Sequence, residues 1–181
     1  MPHVFEAAPS ARSKCRACGE KIASGELRFG ERLPNPYADG ENVEMTHWFH
    51  PVCAAFRRPE SFIEALKTAT ETIPNRETLE SEAAVGAAHQ RVPRVSKAER
   101  ATSGRAACRH CKNPIAKDGW RISLVYYEDG RFQPSGFVHT ACASAYFETP
   151  AIMPRVKHFS PALSEADLAE IAAEIGGVDF S

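Results

Sequence analysis

Apolar positions along the 181 residues come in short runs, each bounded by turn residues. Leu27-Arg28-Phe29 alternates, and Trp120-Arg121-Ile122-Ser123-Leu124-Val125-Tyr126-Tyr127 alternates and then runs apolar. Both read as strands with one face buried. Asp39-Gly40 and Asp129-Gly130 lie in the loops that follow, and such steps suit hairpin turns. Ala54-Ala55-Phe56 and Ala143-Ser144-Ala145-Tyr146-Phe147 are compatible with short helices. Residues 61–70 predict a helix with Phe62, Ile63 and Leu66 on one side, and residues 76–90 a second helix stopped near Pro93. Residues 94–104 are polar, charged and poor in apolar side chains, which predicts a linker. Ser164-Glu165-Ala166-Asp167 reads as a capping box with Asp in the Glu position. Leu168, Ile171 and Ile175 then recur at helical spacing, and Gly176-Gly177 ends the helix.

One pattern occurs twice. Cys15-x-x-Cys18 is followed after 31 residues by His50-x-x-Cys53, and Cys108-x-x-Cys111 after 27 residues by His139-x-x-Cys142. All six cysteines are used, three in each copy. The flanks repeat as well. Arg12 and Arg105 stand three residues before the first cysteine, Ile22 and Ile115 four after the second, and Arg28 and Arg121 ten after it. Trp48 and Phe137 each lie two before the histidine.

Composition narrows the chemistry. No apolar run reaches the roughly 18 residues of a bilayer span, and Met1-Pro2-His3-Val4-Phe5-Glu6 has no signal-peptide order. The expectation is an intracellular chain with no membrane partner and reduced thiols. In that setting, paired Cys-x-x-Cys spacings point to metal rather than to a disulfide framework. A thioredoxin-like redox pair would need two cysteines in a βαβ setting, and chance burial would not repeat the register. Three thiolates and one imidazole form a tetrahedral zinc set. Cys15, Cys18, His50 and Cys53 are the expected ligands of one zinc, and Cys108, Cys111, His139 and Cys142 those of a second. Four protein ligands close the shell, so each ion is expected to be structural rather than catalytic. His3, His47, His89, His110 and His158 read as surface or packing residues. Net charge is −1, but it is unevenly spread. Segment 10–58 carries net +2, 59–99 net −2, 100–160 net +5 and 161–181 net −5, so the cysteine-bearing segments are the basic ones.

At these residues the sequence resembles the PARP-type zinc finger, found at the N-terminus of poly(ADP-ribose) polymerases and on DNA ligase III. The likeness rests on the order Cys-x-x-Cys, long gap, His-x-x-Cys, on Leu27-Arg28, on His47-Trp48-Phe49-His50-Pro51-Val52-Cys53, and on Arg105-Ala106-Ala107-Cys108-Arg109-His110-Cys111. It implies an α+β fold of two small zinc-stabilised fingers, short antiparallel strands plus helix, joined by a helical linker and followed by a C-terminal helix. The implied organisation is 8–60 for the first finger, 61–100 for helical segment and linker, 101–150 for the second finger and 151–181 for an acidic helix and tail. The family recognises DNA breaks without reading sequence. Carried over, Arg12, Arg28, Arg105 and Arg121 would grip phosphate. Val43 and Met45 in the first copy, with Tyr37 as a rival, and Phe132 and Pro134 in the second would cover an exposed base.

Two readings follow. The first is a DNA-binding module with two structural zinc ions, sequence-independent, recognising nicks, gaps or ends, with a repair enzyme as a further partner. The second is a zinc-scaffolded protein–protein interaction adaptor. Neither reading is enzymatic: no phosphate-cradling glycine loop or nucleophile elbow occurs, and about 30 residues follow the second finger. The expected state is a monomer, placed at the nucleoid or cytoplasm in a bacterium and in the nucleus of a eukaryote.

Overall fold

The computed structural model describes residues 2–41 and 43–177. In the first unit, Met1–Ala88, the strands β1 (Val4–Ala7), β2 (Leu27–Pro34) and β3 (Glu44–Phe49) form an antiparallel sheet in that order. The register aligns Phe5 with Phe29 and Phe29 with Phe49, putting three rings on one face. Phe62 of helix α2 (Pro59–Leu66) closes over them, 5.5 Å from Phe5 and 5.9 Å from Phe29 between ring centroids. Burying each such ring contributes about 1.5–3 kcal/mol. Helix α1 (Pro51–Arg57), like α2, opens on a proline, whose missing N–H is no loss in a first turn. Helix α3 (Arg76–Ala88) buries Leu79, Ala83 and Gly86 and packs on α1 and α2.

The second unit, His89–Ser181, opens on a 3₁₀ turn at Val92–Arg94. The strands β4 (Val95–Arg100), β5 (Trp120–Glu128) and β6 (Arg131–His139) again form an antiparallel sheet in chain order. Asp129 and Gly130 have φ of 49° and 76°, the double positive φ of a two-residue hairpin turn with the right twist. A 3₁₀ turn, Thr140–Cys142, leads into α4 (Ala143–Phe147), followed by α5 (Met153–Phe159) and α6 (Glu165–Gly176). Ile122, Leu124, Val138, Phe147, Ile152, Val156 and Ile171 make the core. The capping box of α6 is present: Asp167 N–H donates to Ser164 Oγ at 3.1 Å, and Ser164 N–H donates to Asp167 Oδ2 at 3.0 Å.

Three features depart from the sequence expectation. Residues 94–104, expected as a linker, contain β4. A bulge between Val95 and Ala98 breaks the period-two alternation, so only Val95, Ala98 and Ala101 are buried and the strand is masked by polar neighbours. Segment 61–100 is shared out: α2 and α3 pack in the first unit, while β4 belongs to the sheet of the second. Residues 151–177 are built into the second unit: α5 packs on β4, and Ser160 Oγ accepts from Ala98 N–H at 2.9 Å. Residues 178–181 of the expected acidic tail lie outside the described residues.

Candidate metal centres and nucleic-acid interface

Each cysteine pair sits on a tight knuckle between the first two strands of its sheet. Cys15 N–H donates to Glu20 O at 2.8 Å and Gly19 N–H to Cys15 O at 2.9 Å. Cys108 N–H donates to Asn113 O and Lys112 N–H to Cys108 O, both at 2.9 Å. The third strand then delivers a histidine that is also a helix N-cap: His50 (φ −62°, ψ 144°) and His139 (φ −58°, ψ 144°). Neither imidazole caps its helix, because both turn to the thiols. His50 Nδ1 lies 3.4 Å from Cys18 Sγ and 3.9 Å from Cys53 Sγ. His139 Nδ1 lies 3.4 Å from Cys111 Sγ and 3.8 Å from Cys142 Sγ. All four ligand atoms of each cluster lie within 4.8 Å of one another. Sulfur and nitrogen ligands on a zinc tetrahedron stand about 3.5–3.8 Å apart. The two Cys3His clusters therefore fit two zinc ions, each in a closed structural shell.

The surroundings hold these ligands in place. His139 Nε2 is 3.2 Å from Pro114 O and His50 Nε2 is 3.8 Å from Glu26 Oε1, which orients each ring with Nδ1 inward. The backbone N–H groups of His50 and His139 donate to Cys15 and Cys108 Sγ at 3.4 Å. A hydrogen bond from the Cys53 thiol holds Cys15 down at about 4; N–H groups of Cys18, His50 and Ala17 add to it and outweigh burial. Burial pushes Cys108 up, but N–H groups of Cys111, His139 and His110 bring it down to about 6. Each cluster thus presents a thiolate, and a bound divalent cation displaces the remaining thiol protons.

Arg28 and Arg121, read from sequence as phosphate grips, lie inside their units at 8% and 7% exposure. Arg28 Nη2 pairs with Glu6 Oε1 at 2.5 Å, its Nη1 donates to Ser13 Oγ at 3.0 Å, and its guanidinium carbon lies 3.5 Å over the Trp48 ring. Arg121 repeats this with Glu99 at 3.2 Å and Phe137 at 3.7 Å. Trp48 also covers Gly30, its register partner: a Cβ there would meet the ring at 2.7 Å. Glu6 and Glu99 were not singled out from sequence, yet each stands nine residues before the first cysteine, so extending the repeat upstream would have found both. Glu6→Ala strands a largely buried guanidinium. It is expected to lower stability by about 1.5–3 kcal/mol, toward the lower end because Glu6 is half-exposed. The check is the urea midpoint of zinc-loaded protein; a shift within experimental scatter would mean that the pair does not hold the sheet.

The other candidates are spread over the surface. Arg12 and Arg105 are exposed ahead of their knuckles. Val43 is 40% exposed, and Met45 is half-buried opposite Leu33. Tyr37, the rival, is 82% exposed in the β2–β3 loop. Phe132 is half-buried with its centroid 4.9 Å from Tyr127, and Pro134 is exposed opposite Val125. Val43 thus lies just before the third strand and Met45, Phe132 and Pro134 on it, on the approach to the zinc histidine, while Tyr37 sits early in the β2–β3 loop.

Residues 6–85 match the family model for the poly(ADP-ribose) polymerase and DNA-ligase Zn-finger region, which runs past the expected end at 60 to take in α2 and most of α3. Poly(ADP-ribose) polymerase 1 of Gallus gallus is 31% identical over 161 residues, covering 76% of this chain and 16% of that protein. The polymerase of Sarcophaga peregrina is 29% identical over 145 residues, 71% of this chain and 14% of that one. Polynucleotide 3'-phosphatase ZDP of Arabidopsis thaliana is 26% identical over 168 residues, 78% and 24%. The chain therefore spans under a quarter of the length of each of these relatives. Residues 6–85 are thus a PARP-type zinc-finger region, and the second Cys3His centre repeats its ligand set.

Proposed function

We propose that the protein is a zinc-dependent, sequence-independent DNA-binding protein that recognises strand breaks. The observation that carries this is a coincidence repeated in both units. A closed metal shell fixes a knuckle with an exposed arginine ahead of it, Arg12 or Arg105, and a third strand with half-exposed or exposed apolar residues leads into the zinc histidine. Arginine forks suit phosphate oxygens, and Val43, Met45, Phe132 and Pro134 offer cover for a terminal base pair whose flat face is unstacked. The polymerase relatives and the polynucleotide phosphatase support a role at DNA breaks. In this reading the chain acts as a non-catalytic monomer, its two units engage one broken duplex, and a repair enzyme is the downstream partner. Among the described residues no helix is long and apolar enough to cross a membrane.

The test is fluorescence anisotropy on nicked and intact versions of one hairpin duplex at about 150 mM salt, where exposed charges more than about 8 Å apart are largely screened. At least a tenfold preference for the nick is expected, lost on chelation of zinc. Phe132→Ala and Met45→Ala should each weaken nick binding by about 1–3 kcal/mol and leave intact-duplex binding unchanged. Equal weak binding to both duplexes would favour the second reading, a zinc-scaffolded protein-interaction adaptor. Its own support is that Arg28 and Arg121 are already occupied by carboxylates and that α6 carries Glu165, Asp167, Glu170 and Glu174 without a basic residue.

A further inference from the structure

Arg109 follows the first zinc cysteine of the second unit and is exposed. Its backbone is tied to β6: its N–H donates to Phe137 O at 2.8 Å, and its carbonyl accepts from Lys112 Nζ at 2.7 Å. The side chain is placed by the same strand. Pairing of β5 with β6 slips between Ser123 and Val125, where two steps along β5 correspond to three along β6, so β6 carries an extra residue. Gly136 lies in this stretch with φ +98°. A Cβ at Gly136 would stand 2.5 Å from Arg109 Nε, 3.3 Å from its Cγ and 3.4 Å from its Cδ. The arginine stem therefore runs along bare backbone; the φ calls for glycine, and a Cβ would push the stem aside.

Position and charge add to this. The slot lies between Pro134, a candidate stacking residue, and the zinc ligand His139 on one strand. Two arginines of the sheet are neutralised, Arg121 by Glu99 and Arg100 by Glu170, both at 3.2 Å. No carboxylate among the described residues pairs with Arg109. Its stem is already ordered, so less freedom is lost when the guanidinium closes on a ligand. The first unit carries the same device in part. Arg16 follows Cys15, its N–H donates to Trp48 O at 2.9 Å, and it lies near His47, the positional counterpart of Gly136.

We propose that Arg109, seated in the Gly136 slot, is a phosphate-binding residue of the second unit that grips the DNA backbone beside a break. The proposal rests on the strand-break reading above. The experiment is salt-dependent anisotropy of full-length, zinc-loaded R109A, R109Q, G136A and R109A/G136A on the nicked hairpin, with zinc content measured for each. R109A and R109Q are expected to lose about tenfold in affinity, as for one charge-assisted hydrogen bond. The slope of log K against log salt should become shallower by about 1, with two zinc ions retained. G136A, which displaces the arginine, should lose a similar amount, and the double variant no more. Wild-type affinity and slope in R109A, or full binding by R109Q, would overturn the proposal and leave break binding standing. Failure of the unsubstituted protein to bind the nicked hairpin would overturn both.

Discussion

Replacing Cys53 with serine is expected to remove one of the two zinc ions and unfold the first unit. The unit has about 90 residues, a size at which total stability is about 5–15 kcal/mol. Structural zinc supplies an apparent 10–16 kcal/mol or so in small fingers near neutral pH, as much as the whole. The geometry explains why so much depends on the ion. Cys15 and Cys53 are 1% exposed, so without metal two polar sulfurs are buried among thiols that lack a common partner. Among the described residues one backbone–backbone bond, Arg16 N–H to Trp48 O, ties the knuckle to β3, the other link runs to a ligand sulfur from His50 N–H, and α1 has no side-chain cap because His50 faces the cluster. Loss of the ion frees the knuckle, the helix start and the strand end together. Cys142→Ser should do the same to the second unit, whose 3₁₀ turn and α4 begin at the other histidine. The expected result is one zinc per chain by atomic absorption, with collapsed amide dispersion for the affected unit in a heteronuclear spectrum. A Cys53→Ser protein with native dispersion throughout, after chelation of any residual metal, would show that the phenylalanine core holds the unit unaided.

The ligand set was legible in the sequence because metal coordination leaves a rigid signature. Spacing fixes which sulfurs share a turn, and the second copy repeats it. The strand at Trp120–Glu128 and the capped helix at Glu165–Gly176 were legible for a similar reason, since buried apolar residues recur at strand spacing in the first, Trp120, Ile122 and Leu124, and at helical spacing in the second, Leu168, Ile171 and Ile175. What was hidden lay where the pattern is broken by something long-range. β2 reads as three residues but runs from Leu27 to Pro34, because Gly30 makes room for Trp48 and Glu31 is a buried charge. β4 was hidden by its bulge. The roles of Arg28 and Arg121 were the instructive case. Sequence spacing located both correctly in the repeat, but could not show that a glutamate nine residues before the knuckle returns as a cross-strand neighbour: Glu6 pairs with Arg28 and Glu99 with Arg121 in register. An arginine in a basic segment looks the same on paper whether it faces solvent or a carboxylate.

That distinction also bears on how the interface should be tested. Charge reversal at Arg28 or Arg121 would set a glutamate beside Glu6 or Glu99 and against an aromatic ring, so lost DNA binding could follow from a damaged sheet. Arg12, Arg105 and Arg109 are exposed, and changing them leaves the sheet alone. A binding loss there, at constant zinc content, speaks to the interface itself.

Arg58→Ala is expected to destabilise the first unit by about 3–5 kcal/mol, the cost of removing one partner from a buried ion pair. Glu31 is 0% exposed at the centre of β2. Arg58 Nη2 lies 2.8 Å from its Oε1, Arg58 Nε lies 2.9 Å from Oε1 and 3.0 Å from Oε2, and Ser61 Oγ donates to Oε1 at 2.6 Å. Arg58 is the residue between α1 and α2, so the pair fixes the corner through which the helix bearing Cys53 joins the helix bearing Phe62. Alanine at 58 leaves a carboxylate in the core that keeps the Ser61 hydroxyl but has lost its guanidinium. Glu31→Gln should cost less, because the amide keeps shape and acceptor while Arg58 remains partly in water. Replacing both residues with leucine should recover much of the loss, as apolar pairs of similar volume often match buried ion pairs. Urea midpoints of the zinc-loaded variants decide between this and a surface-type bridge, for which Arg58→Ala would cost under about 1 kcal/mol. If the larger value holds, the chelator concentration that strips the first zinc should fall in the same variant, because the corner that presents Cys53 and the metal that binds it are parts of one folding unit.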